Sequence, residues 1–235
     1  MSQIKVELLD HMGDDLRVAN VARVSFGKWK EEIDEKDVKL INYLAAHEHN
    51  SPFRHVQISV RCKAPLFLAR QLVKHCVGLS WNEISRRYVD TDFEFYHPEE
   101  WRARPEGGIK QGSGTEVIDQ LNVAFMWDEK DGEQECVGTQ SIHDAYQDLV
   151  SYTIEFYDLL IKNGVAPEMA RMSLPQSMMV DWVWTGSLEA MYNVYRLRSG
   201  EGAQEEAKDF SGQLKQVIEP IFPNAWKALE SSKEK

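Results

Sequence analysis

Between Arg70 and Arg87 the chain carries Arg70, Gln71, Lys74, His75, Ser80, Asn82, Glu83, Ser85, Arg86 and Arg87. Guanidinium and ammonium groups hold phosphate, and Gln, Asn and Ser hydrogen-bond the amide-like edges of a base. The set therefore points to a phosphorylated ligand with a heterocyclic base. The alternative is a solvated helix face and a capped turn, since charge runs are commonly just surface. Other chemistries fare less well. His55, Cys62, His75 and Cys76 are metal-ligand types, but adjacent His75 and Cys76 point to different sides of a helix and no C-x-x-C pair exists, so no metal is expected. Ser85 lies in no G-x-S-x-G elbow, which favours a hydrogen-bonding role over a nucleophilic one. The sequence has no G-x-G-x-x-G and no P-loop, so a nucleotide must be bound some other way.

Several elements have to position these groups. IKVELLD reads as an opening strand, and Asp34 to His49 spaces Val38, Ile41, Leu44 and Ala45 as an amphipathic helix does. In HVQISVRCK, Val56, Ile58, Val60 and Cys62 alternate with polar residues, as in a half-buried strand. Pro65 suits the first position of a helix running to about Val77 with Gly78 as its stop, which would gather Arg70, Gln71, Lys74 and His75 on one stripe. Ser80 to Arg87 would then follow in a loop. Arg102 to Glu135 is rich in glycine and charge and reads as a surface excursion, with a short ordered piece around Val117 to Trp127. A long helix is expected over Ser141 to Asn163, closed by Gly164, and a short one at Pro167 to Arg171. An extended piece over Met178 to Trp184 leads to Ser187, the N-cap of a helix over Leu188 to Ser199. A last helix spans Ala203 to Ile218, and Ser231 to Lys235 reads as a frayed tail. The tryptophans, Trp182 and Trp184 included, are expected in the core or at an interface rather than in a flavin-stacking box. The order is mixed α and β.

At 235 residues, 43% apolar and 28% charged, one large domain over 1–235 is expected. The N-terminus MSQIKVELLDHMGDD lacks the basic start and apolar stretch of a signal peptide, and no apolar run of membrane-spanning length appears. Cys62, Cys76 and Cys136 are an odd set without zinc spacing. Reduced thiols in the cytoplasm follow. A net charge of −11 argues against nucleic-acid binding. From Ser51 to Tyr88, however, Arg54, Arg61, Lys63, Arg70, Lys74, Arg86 and Arg87 face only Glu83, a basic enclave of +6 suited to a small anion.

KHCVGLSWNEISRRY resembles the motif of flavin-dependent thymidylate synthases, arginine-histidine-arginine, seven or eight residues, then serine. His75 takes the histidine position and Ser85 the serine. ARVSF, SPFRH, KAPLFLARQ, FEFY, ARMSLP and YRLRS look like the family's other blocks, in the family's order. The resemblance implies a homotetramer of mixed α/β subunits with a central mixed sheet flanked by helices. It also implies FAD and dUMP at sites shared between subunits, methylenetetrahydrofolate as carbon donor and NADPH as reductant. Carried over by position, Gln71, Lys74, Glu83, Ser85, Arg86, Arg87, Arg171 and Arg198 would line dUMP. Gln57, Lys74, His75, Cys76, Glu83, Ser187, Glu189 and Asn193 would meet FAD, with His55 near the flavin and folate. Arg198 and Ser85 are the implied catalytic groups, Arg198 favouring ionised N3 of uracil. None of the three cysteines resembles the nucleophile of the other, cysteine-dependent synthase. Lys74 and Cys76 replace the two motif arginines, and Ser187-Leu188-Glu189 stands where the family often has asparagine-alanine-arginine. A related pyrimidine nucleotide hydroxymethylase and a non-catalytic nucleotide-binding homologue are the alternative functions.

Overall fold

The computed structural model describes residues 3–107, 112–123, 126–127, 134–135 and 138–233. It opens with β1 (Lys5–Met12) and α1 (Asp15–Arg23), whose first turn is capped by the Asp14 carboxylate accepting from the Arg17 amide at 2.9 Å. In α2 (Glu35–Ala46), Asp34 and Asp37 form a reciprocal capping box. β2 (Gln57–Pro65), α3 (Leu66–Leu72) and β3 (Leu79–Glu83) follow. Next come β4 (Gln120–Val123), β5 (Met126–Trp127), β6 (Gln134–Glu135), β7 (Gly138–Ser141), α4 (Ile142–Lys162) and α5 (Pro167–Ala170). The chain ends with β8 (Met179–Ser187), α6 (Leu188–Arg198), α7 (Glu205–Ile218) and α8 (Pro223–Lys233).

These elements group into two units, one running through Ile84 and resuming at Met179, the other Ser85–Met178. The first is built on a four-stranded sheet, order β1-β2-β8-β3. Along β2 the residues Ile58, Val60, Cys62 and Ala64 are buried, opposite Gly186, Trp184, Trp182 and Val180 of β8. Period-two alternation thus puts one apolar face of the sheet against helices. Trp182 stacks on Phe210 of α7 at 5.8 Å between ring centroids, and Trp81 of β3 stacks on Trp182 at 4.3 Å. Both Trp182 and Trp184 are core residues, as expected. At the far end, the buried Asp15 carboxylate accepts from the Asn224 and Ala225 amides at 2.8 and 2.9 Å, capping the first turn of α8 from α1.

Every neighbouring pair in this sheet is antiparallel, where a mixed sheet was expected. The physical reason is an insertion. β2 and β3, joined through α3, run the same way, which alone would be a parallel unit, but β8 lies between them antiparallel to both.

The helix expected over Pro65 to Val77 is shorter. Pro65 ends β2 and stands as the N-cap, and α3 stops at Leu72. The His75 amide then bonds the Leu72 carbonyl at 2.9 Å, and Gly78 takes φ +73°, so the chain turns into β3. The common helical stripe therefore breaks after Gln71. Ser80, Asn82 and Glu83 are not in a loop either, because β3 pairs with β8 over Leu79–Glu83. Their pairing sets Glu83 and Trp81 on the face of Trp182 and Trp184, and Ser80 and Asn82 on the opposite face. The expected frayed tail is corrected over Ser231 to Lys233, which belong to α8, while Glu234 and Lys235 lie outside the described residues.

In the second unit β4 pairs with β7 and β5 with β6, both antiparallel and as separate two-stranded sheets, so that β4, β5 and β6 fall within the expected excursion and β7 just after it. Cys136 lies outside the described residues, as does part of Arg102 to Glu135. The Ser141 hydroxyl caps α4, which buries Val150, Thr153 and Tyr157. Phe93 meets Tyr157 edge-on at 4.7 Å. Among the described residues no helix is long and apolar enough to cross a membrane.

Candidate active site

A cavity of about 570 Å³ in the first unit is lined by residues from four segments: Arg54 and Gln57 before and at the start of β2, Lys74 to Gly78 after α3 with Leu79 at the start of β3, Ser187 at the end of β8, and Glu189, Ala190 and Asn193 in α6. Its size lies in the range of pockets for small molecules and cofactors. Four close backbone approaches make the cavity. The Gly78 carbonyl accepts from the Ser187 amide and the Val56 carbonyl from the Leu188 amide, each at 3.3 Å, which ties the start of α6 to both the turn and β2. A Cβ at Gly186 would collide with the Leu79 side chain and lie 2.6 Å from the Gly78 carbonyl. A Cβ at Gly78 would sit 3.3 Å from Ala190. Glycine is therefore what lets the turn lie against the strand-to-helix junction.

The N-terminus of α6 faces this space, with Ser187 accepting from the Ala190 amide at 3.3 Å and Glu189 in the first turn. Both oxygens of Glu189 pair with the Arg54 guanidinium, through Nε and, at 3.1 Å, Nη2. The Arg54 side chain stays 60% exposed against 16% for Glu189, so the carboxylate anchors and the guanidinium reaches outward. Gln57 donates to the Arg54 carbonyl at 3.0 Å. Arg198, in the last turn of α6, donates its Nε–H to Nε2 of His75 at 3.0 Å. Burial first, and then the Arg198 charge, holds the His75 imidazole below the ordinary histidine pKa. Lys74 adds a further positive charge to the lining.

The structure thus gathers Gln57, Lys74, His75, Cys76, Ser187, Glu189 and Asn193 on one cavity and joins Arg198 to it through His75. Glu83 and His55 are not among the lining residues. Glu83 lies on β3, accepts from the Trp81 indole at 3.1 Å, and is pushed above the usual carboxylate pKa by burial, opposed by that bond and by Arg70. His55 is exposed at the end of a 3₁₀ turn. Gln71 donates to Gln204 at 2.6 Å. Ser85, Arg86, Arg87 and Arg171 belong to the second unit. There the buried Arg86 donates to the Thr91 carbonyl at 3.0 Å and lies over the Phe93 ring, while exposed Arg87 lies over Tyr88. Arg171 donates to the Glu168 carbonyl at 3.2 Å. Arg54 is a charged lining residue that sequence reasoning left unassigned, although it sits in the basic enclave. Its partner is far away in sequence, so only the fold reveals the pair.

The profile of a family described as thymidylate synthase complementing protein matches residues 7–224. The chain belongs to this family. It is 35% identical over 225 residues to a flavin-dependent thymidylate synthase of Thermus thermophilus, covering 96% of this chain and 75% of that one. One from Kosmotoga olearia is 34% identical over 224 residues, covering 95% and 89%. Among solved structures, the UMP/dUMP methylase PolB from Streptomyces cacaoi bound with 5-Br dUMP is similar with TM-score 0.77 at 25% identity, covering 98% of this chain and 96% of that one. The same protein bound with 5-Br UMP gives 0.76 at 26%, covering 99% and 96%.

Proposed function

We propose that this chain is a flavin-dependent thymidylate synthase that converts dUMP to dTMP, with methylenetetrahydrofolate as carbon donor and NADPH as the reductant of bound FAD. The observation that carries the reading is the convergence of seven expected cofactor residues, from segments far apart in sequence, on one cavity of a chain in this family. The donor set fits a flavin dinucleotide. Lys74, Arg54 and the α6 N-terminus suit its phosphates, and the Gln57 and Asn193 carboxamides suit heterocycle edges that both donate and accept. When bound, the flavin supplies the hydride that makes the transferred carbon a methyl group.

The chain's own residues bind and polarise. Arg198 places a fixed cation beside uracil, stabilising negative charge as it develops on the ring. Ser85 and Arg87 meet the nucleotide, and Arg86 serves by holding the turn that presents them, its guanidinium being bonded to the Thr91 carbonyl. Arg171, Gln71 and Glu83 complete the nucleotide side, and His55 lies near the flavin and folate. The working form is a homotetramer in which the whole chain acts as one synthase domain. Large exposed apolar side chains support self-association, notably Phe26 and Trp29, and Leu149, Tyr152, Phe156 and Leu159 along α4. A cytoplasmic location agrees with the free thiols of Cys62 and Cys76. A ribonucleotide substrate is the second reading, prompted by the structural relative described as a UMP/dUMP methylase.

Titrating purified protein with FAD tests the cofactor side. Saturable quenching of flavin fluorescence is expected, weakened about tenfold by Lys74→Ala through loss of a charge-assisted contact. A protein that takes up no FAD contradicts the reading.

A further inference from the structure

His75 stands at the meeting point of two functions. It follows α3 in the irregular turn, lines the cavity beside Lys74 and Cys76, and is half-buried. Its Nε2 lies 3.0 Å from Nε of Arg198. A guanidinium is never deprotonated in a protein, so Arg198 must donate and Nε2 must accept. The imidazole is therefore neutral, with its proton on Nδ1. Burial and the Arg198 charge both favour that uncharged form. The bond takes the Nε–H of Arg198 and leaves both terminal amino groups outside it. Arg198 ends the helix whose first turn carries Glu189 and Ala190 of the same cavity. One helix and one imidazole thus connect the cavity wall to this guanidinium.

Resting on the reading of Arg198 as a dUMP contact and the cavity as the flavin site, we propose that His75 is a positioning residue for Arg198: its neutral imidazole holds the guanidinium by Nε so that the terminal amino groups meet the uracil ring. A long, flexible side chain loses less freedom on binding when it is already held in one arrangement. His75 therefore acts on dUMP affinity through Arg198.

The test is a double-mutant cycle on the enzyme saturated with FAD, with dUMP affinity read by titration calorimetry and folding checked by circular dichroism. His75→Ala weakens dUMP binding about tenfold, the scale of one hydrogen bond to a charged group. His75→Gln, whose amide oxygen can accept where Nε2 did, recovers most of that loss. In an Arg198→Ala background, His75→Ala adds nothing further. Independent, additive losses overturn the proposal, as does a glutamine variant no better than alanine or an alanine variant with unchanged affinity. A wild-type protein that binds FAD but no dUMP defeats the nucleotide reading itself, and this proposal with it. Wild-type affinity with additive losses defeats the proposal alone.

Discussion

Arg198 and His75, joined by a 3.0 Å bond, are the side chains on which the proposed reading can be tested one at a time. On the proposed placement of Arg198 beside uracil, Arg198→Ala removes a fixed cation from the ring, so turnover falls about 100- to 1,000-fold while the circular dichroism spectrum stays that of the wild type. Steady-state rates at saturating dUMP check it. The depressed pKa of His75 has a definite sign in stability. The unfolded chain takes up the proton near pH 6.5, while the folded chain resists it to lower pH. The unfolded state then binds more protons, so stability falls as pH drops through 6.5 toward the folded value. The wild-type urea midpoint should decline more than that of His75→Gln between about pH 7.5 and pH 5.5, with parallel declines as the contrary result. At this scale the sequence showed much. Lys74, His75 and Cys76 stand in a block that resembles the family's, Ser187, Glu189 and Asn193 were carried over by position outside such blocks, and the fold brings all six to one cavity. The bond between His75 and Arg198, and that between Arg54 and Glu189, were hidden because each joins residues more than a hundred positions apart.

Secondary structure was legible where one period dominates. The alternation of β2, the Ser187 cap and the long helix closed by Gly164 each rest on local signals that the tertiary structure leaves intact. It was not legible where long-range pairing wins. Nothing local separates a helix running to Val77 from one stopping at Leu72. What decides is that Leu79 must pair with Gly186, which draws the preceding residues into a turn. The same pairing converts an apparent loop into β3. α1 and α8 were passed over, although Asp14, and Pro223 followed by Trp226 and Leu229, carry start and face signals. Gly186 is the residue to test here. Gly186→Ala drives a methyl against Leu79 and the Gly78 carbonyl, an overpacking that costs about 1–3 kcal/mol. It should lower the urea midpoint and weaken FAD binding together, because the displaced turn carries Lys74 to Cys76. An unchanged midpoint would show that the turn tolerates the extra volume.

Taken whole, an acidic chain keeps a basic enclave, and the fold puts part of it on one cavity wall and part in a second unit that also presents arginines. Positioning and charge are what such a distribution of cations contributes to the proposed reaction. The most direct measurement is the mass of the nucleotide formed when the purified protein is incubated with FAD, NADPH, methylenetetrahydrofolate and dUMP, with UMP in a parallel reaction. The account predicts that dUMP gains one CH₂ unit to become dTMP, that omitting FAD abolishes it, and that UMP turns over more slowly. A hydroxymethylated product, a preference for UMP, or unaltered dUMP in the presence of bound flavin would contradict it.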